Sequence, residues 1–383
     1  MPETPIVQPT VGMVVEQAHA LEHAGHRAEA RVLYEKALRT CESEGDGGAQ
    51  AAANGQRSRA SNILRWIART YQTDAMFDEA IDCLEAAMAV AELNNDHLAL
   101  GNALNLHAIV HWRLGDLDEA RRLYLLARDE ATTVGDMRLT AMTAQNLGVI
   151  ASIRGDLDQA LLHFGGALRD YQALGLQRDS CIARNNMGLV YARMSKWPEA
   201  EEAYREALSL AVVEGQHDIE TQVEVNLTAV HVGRGDYALA QVECARVVEL
   251  ARSRDDANAE SEALKLAGIV ARDTNALDDA DAFFARAAEI AVHRQNVLLI
   301  AEVARESALL YRQQGRNRDT LQQLNRAHRL FTQLRANRDI ADIQSRTLQL
   351  EADFLDVARR WGESTESKDR YTQGHCERVA DVA

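Results

Sequence analysis

The residues best spaced to do chemistry are His107 and His111, in H-A-I-V-H. Four apart on a helix, both imidazoles lie on one face, as a zinc site needs. Ala108 stands where a general base would be required, and no third ligand is near in sequence. The pair therefore reads as histidine packed between helices. His19, His23 and His26 cluster in HALEHAGH and read as solvated surface. The five cysteines (Cys41, Cys83, Cys181, Cys244, Cys376) are odd in number, scattered and never in C-x-x-C, so neither a disulfide framework nor a zinc site is expected. No phosphate-cradling glycine loop, nucleophile elbow or paired-carboxylate site emerges. What remains is carboxamide chemistry. Asn146, Asn186 and Asn226 recur forty residues apart, beside Asn105, Gln145 and Asn185. A carboxamide offers a donor and an acceptor together, so a ladder of them can pair with the main chain of an extended peptide whatever its side chains.

The recurrence belongs to a longer pattern. GDLDEA at Gly115 returns at Gly155 (GDLDQA), Ser195 (SKWPEA), Gly235 (GDYALA), Asn275 (NALDDA) and Gly315 (GRNRDT), each forty residues on. Upstream it appears at Ala75 (AMFDEA) and Gly25 (GHRAEA), fifty apart, the stretch GDGGAQAAANGQ being read as a longer first connection. Five residues after each turn comes Ala30, Ala80, Ala120, Ala160, Ala200, Ala240 or Ala280, then Thr320. Nine after comes Tyr34, Leu84, Tyr124, Phe164, Tyr204, Cys244, Phe284 or Leu324. Twelve after is alanine except at Val247, and seven before is always small (Ala18, Ala68, Ala108, Gly148, Gly188, Thr228, Gly268, Ala308). Apolar residues at i, i+3, i+4 and i+7 flank each turn, which is helical period. Small residues on both sides of a short turn let two antiparallel helices approach closely. Asp96, Asp136, Asp256 and Asn296 stand where each first helix would begin and read as its N-caps. Only 4 prolines occur, three of them in the first nine residues; Pro198 sits where a helix would start, the place that tolerates a missing N–H.

Small residues in the first helix, glycine at the turn, then Ala, aromatic and Ala in the second resemble the tetratricopeptide repeat (TPR) family, in its long forty-residue variety, over about residues 13–335. The resemblance implies an all-α fold, a right-handed α-solenoid of eight helix-turn-helix repeats with a long C-terminal helix. It also implies a concave groove lined by first helices, with the positions nine and ten residues before each turn facing it. Those positions hold Asn105, Gln145, Asn146, Asn185, Asn186, Asn226, Lys265 and Arg305. Arg113 and Arg193, two residues before their turns, would add positive charge. Any peptide footprint is expected to centre on residues 100–230. The alternative is that these asparagines cap or bridge neighbouring helices and bind nothing.

Beyond the eighth repeat the pattern changes. Ile340, Ile343, Thr347, Leu350, Phe354, Val357 and Trp361 alternate steps of three and four, a heptad seam. Two readings stay open for 336–362: a homodimeric signalling coiled coil through 340–361, or a helix covering the exposed face of the last repeat, as solenoid ends need. SKDRYTQGHCERVADVA follows. It resembles the opening of an HD-GYP domain, a bacterial metal-dependent phosphohydrolase that usually cleaves cyclic di-GMP. Lys368, Asp369, Tyr371, Thr372, Gly374, His375, Glu377, Arg378, Val379 and Ala380 match, with Cys376 in place of the usual serine. The resemblance implies that His375 is a metal ligand and that Tyr371, where three-metal members carry glutamate, marks a two-metal site. The later His-Asp and Gly-Tyr-Pro segments would lie beyond Ala383, so residues 363–383 are read as an incomplete domain, catalytically inactive here. A divalent metal pair is expected only in a longer parent, and no cofactor in this chain.

The formal charge of −16 argues against nucleic-acid and anionic-membrane partners. No apolar run approaches the roughly 20 residues of a membrane span, and residues 1–12 read as a frayed tail without signal-peptide character. The expectation is a cytoplasmic bacterial regulator whose repeats bind a protein or extended peptide, with a stand-alone scaffold as the alternative and an enzyme hidden in the repeats as a remote third.

Overall fold

The computed structural model describes residues 10–43, 50–334 and 339–352, and among these every regular element is a helix. Thr10 caps the first of them, its hydroxyl accepting from the Met13 amide. The helices are α1 (Val11–His23), α2 (Arg27–Ser43), α3 (Gln50–Thr73), α4 (Phe77–Leu93), α5 (His97–Leu114), α6 (Leu117–Val134), α7 (Met137–Arg154) and α8 (Leu157–Ala173). They continue as α9 (Gln177–Arg193), α10 (Trp197–Val213), α11 (His217–Arg234), α12 (Tyr237–Ser253), α13 (Ala257–Asp273), α14 (Leu277–His293), α15 (Val297–Gln313) and α16 (Asn317–Gln333). A last helix, α17, is described over 339–352. The insertion read as a longer first connection is in part helical: residues 50–56 belong to α3, which runs to 24 residues where α5 has 18 and α9 has 17.

The joints explain the spacing. All eight turn residues read from the repeat, from Gly25 to Gly315, have positive φ, between 59° and 90°. Asn95, Gly135, Gly175, Gly215, Asp255 and Gln295, midway between them, do too, so a left-handed residue recurs every twentieth position from Ala75 to Gly315. Each closes the preceding helix. At Gly115 the amide donates to the Trp112 carbonyl (3.0 Å) and the next amide, of Asp116, donates to that of His111 (2.9 Å), satisfying carbonyls that a helix end leaves open. The same pair of bonds recurs at Gly25, Asn95, Gly175, Gly235, Asn275 and Gly315. The residue after the joint already starts the next helix. Asp96, Asp136, Asp256 and Asn296 accept from the backbone amides of Ala99, Leu139, Ala259 and Leu299, the N-caps that their positions suggest.

The repeating columns are the core. The residues five, nine and twelve after each turn are at most 2% exposed in every pair, Cys244, Val247 and Thr320 included. The nine-after aromatic presses on the small residue of its own pair: a Cβ on Gly148 would lie 2.7 Å from the Phe164 ring, and one on Gly268 2.6 Å from that of Phe284. Glycine is required there because the ring takes the space of a side chain.

The chain forms two compact units. One takes in residues up to Ser152, 156–194 and 205–214; the other takes in 153–155, 195–204 and Gly215 onward. In the first, α1 packs on α2, α3 on α4 and α5 on α6, and Ala141, Ala167, Tyr171 and Ala183 join α7, α8 and α9. In the second, one cluster runs through α11 to α15, from Val225 to Leu310. Its end is covered by α17: Ile343 and Leu350 are buried, and Asp339 accepts from Arg305 of α15 (2.7 Å). Over its described residues the heptad seam is buried at Ile343 and Leu350. Phe354, Val357 and Trp361 lie outside the described residues, as does the run at 363–383.

Candidate peptide-binding face

The carboxamide column sits mid-helix, two turns before each first helix closes, where the backbone is saturated and only side chains can bond outward. On α5, Asn105 is 5% exposed and its Oδ1 accepts from Asn146 Nδ2 of α7 at 3.2 Å. These two asparagines thus bridge neighbouring first helices, as the alternative reading allowed. Gln145, next to Asn146, is half-buried; its Oε1 is shielded from solvent and has no hydrogen-bond partner among the described residues. Asn185 and Asn186 are half-buried on α9. Arg193, near the end of α9, donates from Nη1 to the Ser152 carbonyl at 2.6 Å and so ties α9 to α7. Arg113 is exposed, with its guanidinium 5.8 Å from the Phe77 ring centre.

In the second unit Asn226 is buried and the other two named residues, Lys265 and Arg305, are engaged. Lys265 bonds Glu302 at 2.5 Å, so the cation expected to face a partner is neutralised from the next first helix. It belongs to a ladder that runs from helix to helix: Gln222 to Glu262 (2.8 Å), Lys265 to Glu302, and Arg305 to Asp339 (2.7 Å). Arg272 and Arg305 both reach Glu306 as well. Burial raises the Glu262 carboxyl above its usual range, against the opposing charge of Lys265. The signal was present in sequence as acids at 262 and 302 and bases at 265 and 305, but pairing them requires knowing which helices are neighbours.

The histidine readings divide. His107 is 6% exposed and its Nε2 lies 3.2 Å from that of His111, so a proton is shared along one helix face. Burial, followed by the His111 charge, pushes His107 down to about 4. Among the described residues no group of His, Cys, Asp or Glu side chains could hold a metal ion. His23 and His26 are exposed, but His19 corrects the surface reading. It shares a hydrogen bond with the Tyr34 hydroxyl (2.6 Å) and meets the Trp66 ring edge-on at 4.6 Å. Glu22 beside it accepts from Tyr34 and takes both ends of the Arg69 fork at 2.7 Å. His375 lies outside the described residues.

Antiparallel pairs closed by left-handed residues, with small residues before each turn and an aromatic nine after it in five of the eight pairs, define a tetratricopeptide repeat fold. The family model for the tetratricopeptide repeat matches residues 59–129, 102–173, 138–212 and 179–242. No protein of curated function matches the chain. Among solved structures it resembles a Rap protein complexed with competence and sporulation factor, at 15% identity and TM-score 0.61, over 85% of this chain and 98% of that one. It also resembles NprR in complex with its cognate peptide NprX, at 12% identity and TM-score 0.59, over 89% and 98%. A third is the Rap conjugation gene regulator of plasmid pLS20 in complex with the Phr* peptide, at 16% identity and TM-score 0.57, over 88% and 98%. At these identities the likeness is one of fold. No described helix is long and apolar enough to cross a membrane.

Proposed function

We propose that the chain is the peptide-binding part of a regulator, and that an extended peptide lies along the first helices α5, α7 and α9. The observation that carries this reading is the carboxamide cluster of Asn105, Gln145 and Asn146. A buried acceptor without a partner costs about 1–3 kcal/mol unless something completes it, and a peptide amide reaching Gln145 Oε1 would do so. The fold supports the reading, since the plasmid pLS20 Rap regulator and NprR, which it resembles, are each in complex with a peptide. Arg113 is the exposed cation of this unit's named residues and would meet an acidic residue or the carboxyl end of the peptide.

The test is an array of short synthetic peptides probed with the labelled chain, followed by titration of the strongest binder. Replacing Gln145 and Asn146 together with alanine should weaken that binder at least tenfold while helical circular dichroism stays unchanged. Unaltered affinity in the folded variant would remove the cluster from the site.

The proposal extends to an output. The run from Lys368 to Ala380 supports an HD-GYP-type phosphohydrolase domain following the repeats, with His375 as its first metal ligand. Peptide binding would then be relayed in the cytoplasm through the helix covering the last repeat. Sequencing the gene past codon 383 checks this. A His-Asp pair and a Gly-Tyr-Pro segment would lead to assays of cyclic di-GMP hydrolysis with and without peptide, whereas a stop codon would leave the stand-alone scaffold.

A further inference from the structure

The second unit contains a cavity of about 380 Å³ between α12, α13 and α14, away from the carboxamide cluster. Its floor is apolar and buried: Cys244 and Val248 from α12, then Leu264, Ala267, Val270 and Ala271 from α13. Phe283 of α14 forms a further wall and packs against the same core cluster.

The repeat explains why space is left here. Nine residues after the turn the other pairs carry Tyr, Phe or Leu, and this pair carries Cys244. Eight before the turn the column reads Gln17, Ile67, His107, Leu147, Met187 and Leu227, then Ala267 and Ser307. Four before it, Tyr71, His111, Tyr191, His231 and Tyr311 contrast with Ala271, a reduction shared only by Ala151. Three shortened side chains thus converge on one cavity. Cores otherwise fill such space, because each unfilled volume forfeits contacts. Burial pushes the Cys244 thiol up to about 12, so it serves as a small apolar wall and not as a nucleophile.

The mouth is polar and acidic. Gln241, Glu249, Arg252, Thr274 and Asp279 ring it, all exposed. Arg252 is shared between Glu249 (2.8 Å) and Glu260 (2.9 Å), which leaves the rim with a net negative charge from Glu249, Glu260 and Asp279. An apolar cavity at the small end of the usual ligand-pocket range of about 300–1,000 Å³, with a few polar groups at its mouth, has the form of a small-molecule site. We infer that this cavity binds a small apolar molecule, neutral or bearing a cationic end, independently of any peptide on α5 to α9.

The test uses the full chain and the neutral fluorophore N-phenyl-1-naphthylamine. It should bind saturably at one equivalent, and octylamine should displace it at no more than one fifth of the octanoate concentration. Cys244→Phe restores the column residue and should weaken binding at least tenfold with helical circular dichroism unchanged. Ala271→Leu fills the cavity from the opposite wall and serves if the first variant fails to fold. Absence of saturable binding, or full affinity in a folded filled variant, would overturn the site. Octanoate displacing as well as octylamine would overturn the charge preference.

Discussion

The Phe164 ring meets Gly148 where any Cβ would stand, 2.7 Å from Cε1, and the ring is 1% exposed with nowhere to move. Gly148→Ala should therefore destabilise the first unit by about 1–3 kcal/mol, the usual cost of overpacking. Gly165, in α8 after the same turn, is the control: a Cβ there would meet nothing nearer than Arg169 Nη1 at 3.8 Å. Gly165→Ala should stabilise by about 0.5–1 kcal/mol through helix propensity, and urea unfolding of the two variants would show the opposite signs. The small column containing Gly148 was legible in sequence because eight pairs repeat it. His19 was not legible. Its partners Tyr34 and Trp66 lie 15 and 47 residues away, and nothing local to HALEHAGH distinguishes the histidine that packs from the two that stay exposed. The carboxamides were found by recurrence alone, but whether each bonds a neighbour or waits for a partner depends on side-chain reach. Asn146 bonds Asn105, whereas Gln145 Oε1 is left without a partner.

Each helix from α3 to α15 is closed by one left-handed residue, and the chemistry of that residue varies while its conformation does not. Glycine takes positive φ without steric cost; Ala75 and Gln295, at 60° and 53°, do not. Ala75→Gly and Gln295→Gly should each raise stability by about 1 kcal/mol, and Gly135→Ala should lower it by about as much; thermal unfolding followed by circular dichroism measures all three. Eight of the fourteen joints were legible from the recurring GDLDEA-like turn. Four of the alternate ones were reached through the N-caps Asp96, Asp136, Asp256 and Asn296, and those at Gly175 and Gly215 were not read, because the six alternate joints carry no common residue type. The same limit applies to α17. Its three-and-four spacing suits a dimer seam and a cover equally; in the structure Ile343 is buried and Asp339 accepts from Arg305 of α15.

At the scale of the molecule, the acidic charge, the absence of strands among the described residues and the pairing of helices all follow from the sequence, but the division into two compact units does not. The columns run through residues 195–214 unbroken, so no change of pattern marks where one unit gives way to the other. The twenty-residue interval between joints has a further consequence, for what the chain can lose. Excising residues 75–114 would join α3 directly to the joint at Gly115, and every downstream residue would keep its column. Excising 95–114 alone would set two second helices in succession. The first deletion should retain helical content per residue and a cooperative melt, and the second should lose the cooperative melt. A fold ruled in this way grows and shrinks in steps of one hundred and twenty nucleotides, and a gene of this kind can change length by recombination without any residue having to learn a new neighbour.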